Sequence, residues 1–229
     1  MELRTDKIRA CFDRKIGNFT ELWNLSTNTN YVRCAPRDPL IELYGLKNGE
    51  RVKLSGHISD VAEAPDALIL SYDSFGEYDI SAKVTCRCEQ DRLVFSAEIC
   101  NHSTIDVTEI LMPHLGGIYL GNGQKDYLIY PHHAGDKTED PVYNYAENRM
   151  TFWRGCSVPF EDIYRREINY CGLASMSWMY YYDAENGLYI GSHDARFPVT
   201  GVIAETSGSA EDPWMSFGFR KHYRVRPGE

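Results

Sequence analysis

Alternation of apolar and polar side chains at every second position restricts this chain more than any other feature. In "KIRACFD" the residues Ile8, Ala10 and Phe12 share one phase, and "GNFTELWNL" turns at Gly17 before resuming with Phe19, Leu22 and Trp23. Successive side chains of an extended strand point to opposite faces, so a period of two marks a half-buried strand. Strands are expected over "DALILSYDSF", "EYDISAKVTCRC" and "DRLVFSAEICN", joined by hairpins at Gly76-Glu77 and at Glu89-Gln90-Asp91. "STIDVTEILMPHL" adds a strand that Pro113 should stop, and "KDYLIYPHH" one that Pro131 should stop. "LASMSWMYYYD" and "GLYIGSHD" flank Asn186-Gly187, a hairpin signal, and "TGVIAET" and "PWMSFGFRKHYRV" complete the set. With few helices, this implies an all-β protein built as a large antiparallel sandwich.

Residues 132–170 differ. They are polar, contain Pro141 and Pro159 and have little periodicity, so one long irregular insertion is expected there. Within it "PFEDIYRREI" could turn helical, with Phe160, Ile163 and Tyr164 on one face and Glu161 and Asp162 early. The 229 residues fit a single sandwich domain over 1–229. Near the end, Lys221 and Arg224 read as charges guarding an edge strand, and an open edge there could pair a homo-oligomer.

A formal net charge of -9 argues against nucleic acid and anionic membrane as partners, since both call for basic patches. The opening "MELRTDKIRACFDRK" carries no apolar signal run, and no stretch approaches the ~20 apolar residues of a membrane span. The cysteines number seven and are scattered, without paired knuckles for zinc. Reduced thiols and a cytoplasmic location are expected. Cys86 and Cys88, two apart, should share one strand face.

The stretch "YPHHAGDKTEDPVYNY" asks for chemistry. His132 and His133 are neighbours and point apart in an extended chain, so they cannot easily share a metal; spacing does not specify a set of His114, His132 and Asp136. No metal and no cofactor is expected, and one imidazole should cap the loop while the other is exposed. In "GSHDARFP", His193, Asp194 and Arg196 form either a grip for sugar hydroxyls or an ion-paired turn before Pro198. Glu205, at the end of "GVIAE", could be a general base if its neighbours make a pocket, and otherwise points to solvent. Trp178 lies within a strand pattern and reads as core, whereas Trp153, in the insertion, reads as a contact residue. No phosphate loop, dinucleotide fingerprint, nucleophile elbow or HExxH occurs.

The order of motifs resembles a known family. "DKIRACFDRKIGNFTELWNLSTNTNYV" is similar to the opening of galactose-mutarotase-like β-supersandwich domains. "ILMPHLGGIYLGNGQKDYLIYPHHAGDK", "GLYIGSHDARFPVTGVIAET" and the terminal "HYRVRPGE" resemble a narrower group, bacterial domains that precede a (β/α)-barrel of glycoside-hydrolase type. The resemblance implies a non-catalytic N-terminal domain that packs against a C-terminal barrel, the barrel carrying the catalytic carboxylates. Carbohydrate is the implied partner, with His132, His133, Asp136, Trp153, His193, Asp194 and Arg196 lining or shaping the sugar site. True mutarotases use a histidine to protonate the ring oxygen and a glutamate to take the anomeric proton. Glu205 is similar in place to that glutamate, but the His-x-Tyr-Phe pattern is missing. The alternatives are an aldose 1-epimerase-like enzyme, with Glu205 as base and His132 or His193 as acid, and a free-standing carbohydrate-binding module.

Overall fold

The computed structural model describes residues 1–34, 38–121, 124–147, 157–159, 163–208 and 213–229. The chain opens with β1 (Glu2–Arg4), β2 (Ile8–Phe12), β3 (Phe19–Asn24) and β4 (Thr29–Asn30), then the hairpin β5 (Glu42–Lys47) and β6 (Glu50–Leu54). A meander follows: β7 (Asp60–Ala64), β8 (Ala67–Tyr72), β9 (Ile80–Glu89) and β10 (Arg92–Asn101). The long β11 (Asp106–Ile118) leads to β12 (Tyr127–Tyr130), β13 (Asp136–Glu139) and the helix α1 (Pro141–Glu147). The remainder is β14 (Ser157–Pro159), β15 (Ile163–Tyr170), β16 (Trp178–Tyr182), β17 (Gly187–Gly191), β18 (Thr200–Gly208) and β19 (Pro213–Lys221).

These strands form four sheets, and every pairing between them is antiparallel. Three sheets have four strands each, in the orders β1-β2-β3-β4, β10-β9-β8-β7 and β13-β12-β16-β17. The fourth runs β14-β15-β18-β19-β11-β5-β6. The main apolar cluster draws on all four sheets, with Leu3, Leu43, Leu68, Val84, Leu128, Met179 and Phe217 among its members. The expectation of an all-β antiparallel sandwich holds.

The period-two argument is clearest in β9, where Ile80, Ala82, Val84, Cys86 and Cys88 are all buried and the intervening residues are not. Cys86 and Cys88 do share one face, and the described cysteines are free thiols. A two-residue turn joins β5 to β6. Asn48 (φ 54°) and Gly49 (φ 84°) both take the left-handed conformation that a two-residue hairpin needs.

Several local expectations are corrected. Pro113 does not end its strand: β11 continues to Ile118, with a register shift against β19 between Leu111 and His114. Proline gives no backbone donor, and a bulge is where a ladder tolerates that loss. A second shift lies between Leu115 and Ile118, around Gly117 (φ 74°). A Cβ on Gly117 would stand 2.3 Å from the Cys34 carbonyl oxygen, so only glycine lets residues 31–34 lie against this strand. "IYRREINY" is no helix but β15, paired along its whole length with β18. Pairing with an apolar neighbour outweighs a weak helical pattern. Residues 132–170 thus hold β13, α1, β14 and β15.

Lys221 ends β19, which lies between β18 and β11; the edges of that sheet are β14 and β6. The C-terminal strand therefore offers no open edge for oligomer pairing. Trp178 is only partly buried, because Met179 and Tyr181 take the core phase of β16 and Trp178 falls in the other. Trp153 lies outside the described residues. No helix among the described residues is long and apolar enough to cross a membrane.

Candidate functional site

The seven-stranded sheet has two unlike faces. One packs Val202, Ala204, Met215, Phe217 and Phe219 into the main core. The opposite phase of the same strands carries Ile203, Leu111 and Tyr44, a separate small apolar cluster, among charged side chains. Glu42, His114, Glu205, Ser216 and Arg220 are all buried there. Residues in register across the sheet explain the grouping: Arg165 pairs with Glu205, Glu205 with Ser216, and His114 with Gly218.

At the centre His114 Nε2 lies 3.4 Å from Glu205 Oε2, with the two side chains 2% and 3% exposed. The Arg165 guanidinium bonds the other oxygen of Glu205. Asp38, Glu42 and His114 place one potential ligand atom each within 4.8 Å of one another. Glu42 is already engaged, by Lys53 Nζ at 2.8 Å and by the Tyr44 hydroxyl at 2.6 Å. A lysine on one of the carboxylates weakens this trio as a cation site. Asn18, fully buried, donates from its amide to the carbonyls of Asp38 at 2.9 Å and His114 at 2.7 Å, fixing both stretches.

The network continues along the face. Arg51 holds Glu109 through two bonds of 2.7 and 2.8 Å, and Arg220 reaches Glu109 at 2.9 Å and Glu167 at 2.7 Å. The guanidiniums of Arg51 and Arg220 both lie over the Tyr44 ring, at 3.8 and 5.0 Å. Gly201 makes room for this: a Cβ there would stand 2.6 Å from Glu167 Oε1.

Electrostatics follow from that arrangement. Burial opposes charge on His114, yet Glu205, Asp38 and Glu42 outweigh it and hold the imidazole above its ordinary pKa of 6.5. Burial would raise Glu205, but His114 and Arg165 hold it below the usual carboxylate range. Glu42 is likewise lowered by Lys53 and Tyr44 against its burial. Five carboxylates (Asp38, Glu42, Glu109, Glu167, Glu205) face four permanent cations (Arg51, Lys53, Arg165, Arg220), and a charged His114 evens the balance.

The residues singled out in the sequence fall in three places. Glu205 and His114 belong to the charged face, Glu205 buried within its strand rather than in solvent at the end of it. Its side-chain partners among the described residues are His114 and Arg165, not His132 or His193.

His132 and Asp136 close the β12–β13 hairpin, with Nδ1 to Oδ2 at 3.1 Å and Arg166 on the same carboxylate at 2.6 Å. Burial, then Arg166, holds His132 below its ordinary pKa. His133 (φ 51°) is exposed, and its ring lies 4.2 Å from that of His132. The loop is pinned to residues 173–175 by His133 N–H to the Leu173 carbonyl and Ser175 N–H to the Pro131 carbonyl, each 2.8 Å. This is a capped hairpin end. The His114, His132 and Asp136 set does not come together as ligands among the described residues.

His193, Asp194 and Arg196 lie in the turn after β17. Asp194 accepts from the Arg196 backbone N–H at 2.9 Å, and the Arg196 guanidinium donates to the Tyr223 hydroxyl at 3.0 Å.

Sequence reasoning missed His114 as the partner of Glu205. One signal was available. "GVIA" is apolar in both phases, so both faces of β18 are covered and a glutamate continuing that run is buried.

No protein-family model matches the sequence, and no curated protein matches it significantly. Solved structures do match. A galactose mutarotase-like protein from Lactobacillus casei ATCC 334 aligns over 100% of this chain and 96% of its own, at 9% identity and a TM-score of 0.54. A galactose mutarotase related enzyme from Lactobacillus acidophilus aligns over 100% and 93%, at 8% identity and a TM-score of 0.55. The GH36 alpha-galactosidase AgaA from Geobacillus stearothermophilus aligns over 100% of this chain and 39% of its own, at 9% identity and a TM-score of 0.52. With its antiparallel sheets in the arrangement described, the chain has the galactose mutarotase-like fold.

Proposed function

We propose that this chain is a non-catalytic β-sandwich domain of a carbohydrate-active protein of glycoside-hydrolase type, packing against a catalytic barrel and helping to shape its sugar site. The observation that carries this is the closure of the charged face. Glu205 and His114, the pair able to move the protons of a ring-opening reaction, are almost fully buried and 3.4 Å apart. A sugar ring does not fit between groups in contact. Arg165 bonds one Glu205 oxygen, His114 faces the other at 3.4 Å by charge and not by a hydrogen bond, and the lowered pKa of the carboxyl makes it a poor base. The likeness to an alpha-galactosidase of which the chain spans 39% supports a place within a larger enzyme.

A second reading, an aldose 1-epimerase with Glu205 as base and His114 as acid, is favoured by the adjacency of those two residues. Polarimetry decides between them. Fresh α-D-glucose and α-D-galactose should mutarotate at the uncatalysed rate in the presence of the protein. An acceleration that Glu205→Gln abolishes would overturn the non-catalytic reading.

A further inference from the structure

A cleft of about 300 Å³ opens where β18 and β19 meet the turn after β17. Lys221, Thr200 and Tyr170 supply its strand-end wall, and Ser192, Asp194 and Phe197 line the turn side. Thr200 and Lys221 are in register with one another and share the phase of Val202 and Phe219, so the cleft lies on the side of the sheet away from the Glu205 network.

Lys221 is the unusual group. Its half-buried ammonium has three donors. One goes to Ser192 Oγ and another to Thr200 Oγ1, the latter at 3.1 Å. The Thr200 hydroxyl donates in turn to the Pro198 carbonyl at 2.9 Å, and the Ser177 hydroxyl to the Ser192 carbonyl at 2.8 Å. Hydroxyls solvate a cation but do not neutralise it. Among the described residues no carboxylate forms an ion pair with Lys221; Asp194 acts on it only through space, and burial holds its pKa below the ordinary lysine range. Arg220, one residue earlier, has two glutamates.

The rim supplies a second observation. Phe197 is 74% exposed and holds a left-handed backbone (φ 48°), which a bulky residue rarely adopts. Tyr189 is exposed as well, with its hydroxyl 3.2 Å from Nε2 of the lining residue His193. An apolar rim over a polar floor with one desolvated cation suits a small amphipathic anion. A volume at the small end of ligand sites suits a single pyranose. One ammonium suits a monoanionic carboxylate better than a phosphate dianion, for which clustered donors are the rule.

We propose that this cleft binds an acidic monosaccharide, a hexuronate, whose carboxylate meets Lys221 while its ring lies against Phe197. Asp194 and His193 are placed to take ring hydroxyls. The proposal rests on the reading of the chain as part of a carbohydrate-active protein.

The test is titration of the isotope-labelled protein with D-glucuronate, D-glucose, glucose 6-phosphate and acetate, followed by NMR at low salt. D-glucuronate should shift signals of residues 192–200 and 221 and bind about tenfold more tightly than the other three, a difference of one charge-assisted contact. Lys221→Met should erase the preference over glucose, and Phe197→Ala should weaken D-glucuronate while leaving acetate unchanged. Equal binding of glucose and D-glucuronate, tighter binding of the phosphate, or shifts confined to other surfaces would each overturn the uronate site and leave the carbohydrate-active reading standing. Binding of no sugar at all would strike the site too. Should Lys221→Met fail to fold, the wild-type preference among the four probes still decides.

Discussion

Two groups of charges on one sheet behave in opposite ways. On the face that carries Glu205, the charges around His114 fall into three sets of ion pairs, Arg51–Glu109–Arg220–Glu167, Lys53–Glu42 and His114–Glu205–Arg165, and Glu205, His114 and Glu42 are almost fully buried. At the end of β19, Lys221 stands among hydroxyls with no carboxylate paired to it among the described residues. Charges matched within the sheet hold strands in register, although neither His114 nitrogen makes a hydrogen bond; an unmatched charge has capacity left for something from outside. Burial and charge alone do not distinguish a functional site from a structural one. The state of the counter-charge does.

The comparison breaks most visibly at Glu205. Glu205→Ala strands His114 and Arg165 in a buried place, and loss of one partner of such a pair costs about 3–5 kcal/mol. Urea denaturation should show the fall. A loss below about 1 kcal/mol would mean that the face is wetter and more open than described.

The next effect is on pH. The folded pKa of His114 is raised above its ordinary 6.5, so its contribution is fully present below that value and is lost as pH rises through the folded pKa. Thermal stability should therefore decline on the alkaline side of about pH 6.5, and His114→Gln should flatten that decline. Asp126 has a similar slope from a different cause. Its buried carboxyl is pushed up to about 6, mainly by desolvation, so stability falls as pH rises from about 4 to 6. Scans on both sides of pH 6 separate the two groups.

The smallest effect sharpens the contrast. Lys221→Met removes a cation that no carboxylate pairs with among the described residues, and stability should change by less than about 1 kcal/mol in urea. A large loss would place Lys221 in a closed network after all.

Much of the architecture is written in local pattern. Alternation in β9 and β10 and the apolar phases of β2 and β8 follow from side-chain order alone. Asn48-Gly49 carried a hairpin signal as strong as Asn186-Gly187, and it is the former that takes the left-handed turn. In the latter hairpin Asp183 caps the loop, accepting from the N–H groups of Glu185 at 2.8 Å and Asn186 at 2.6 Å. β15 was harder, because "RREI" places charges in both phases. Arg165 and Glu167 face the ion pairs, whereas Ile168 faces the core. The site was least legible. Glu205 meets His114 only because β19 lies between their strands, and strand order is a property of the whole chain.

That strand order has a consequence for how the protein is made. β5 and β11, bearing Glu42 and His114, are synthesised well before β15, β18 and β19, which bring Arg165, Glu205 and Arg220. Lys53 and Arg51 of the early β6 already match Glu42 and Glu109, whereas His114 meets its carboxylate partner Glu205 only when β18 has been made. The last strands to be made thus bring the counter-charges that close the sheet over its central histidine.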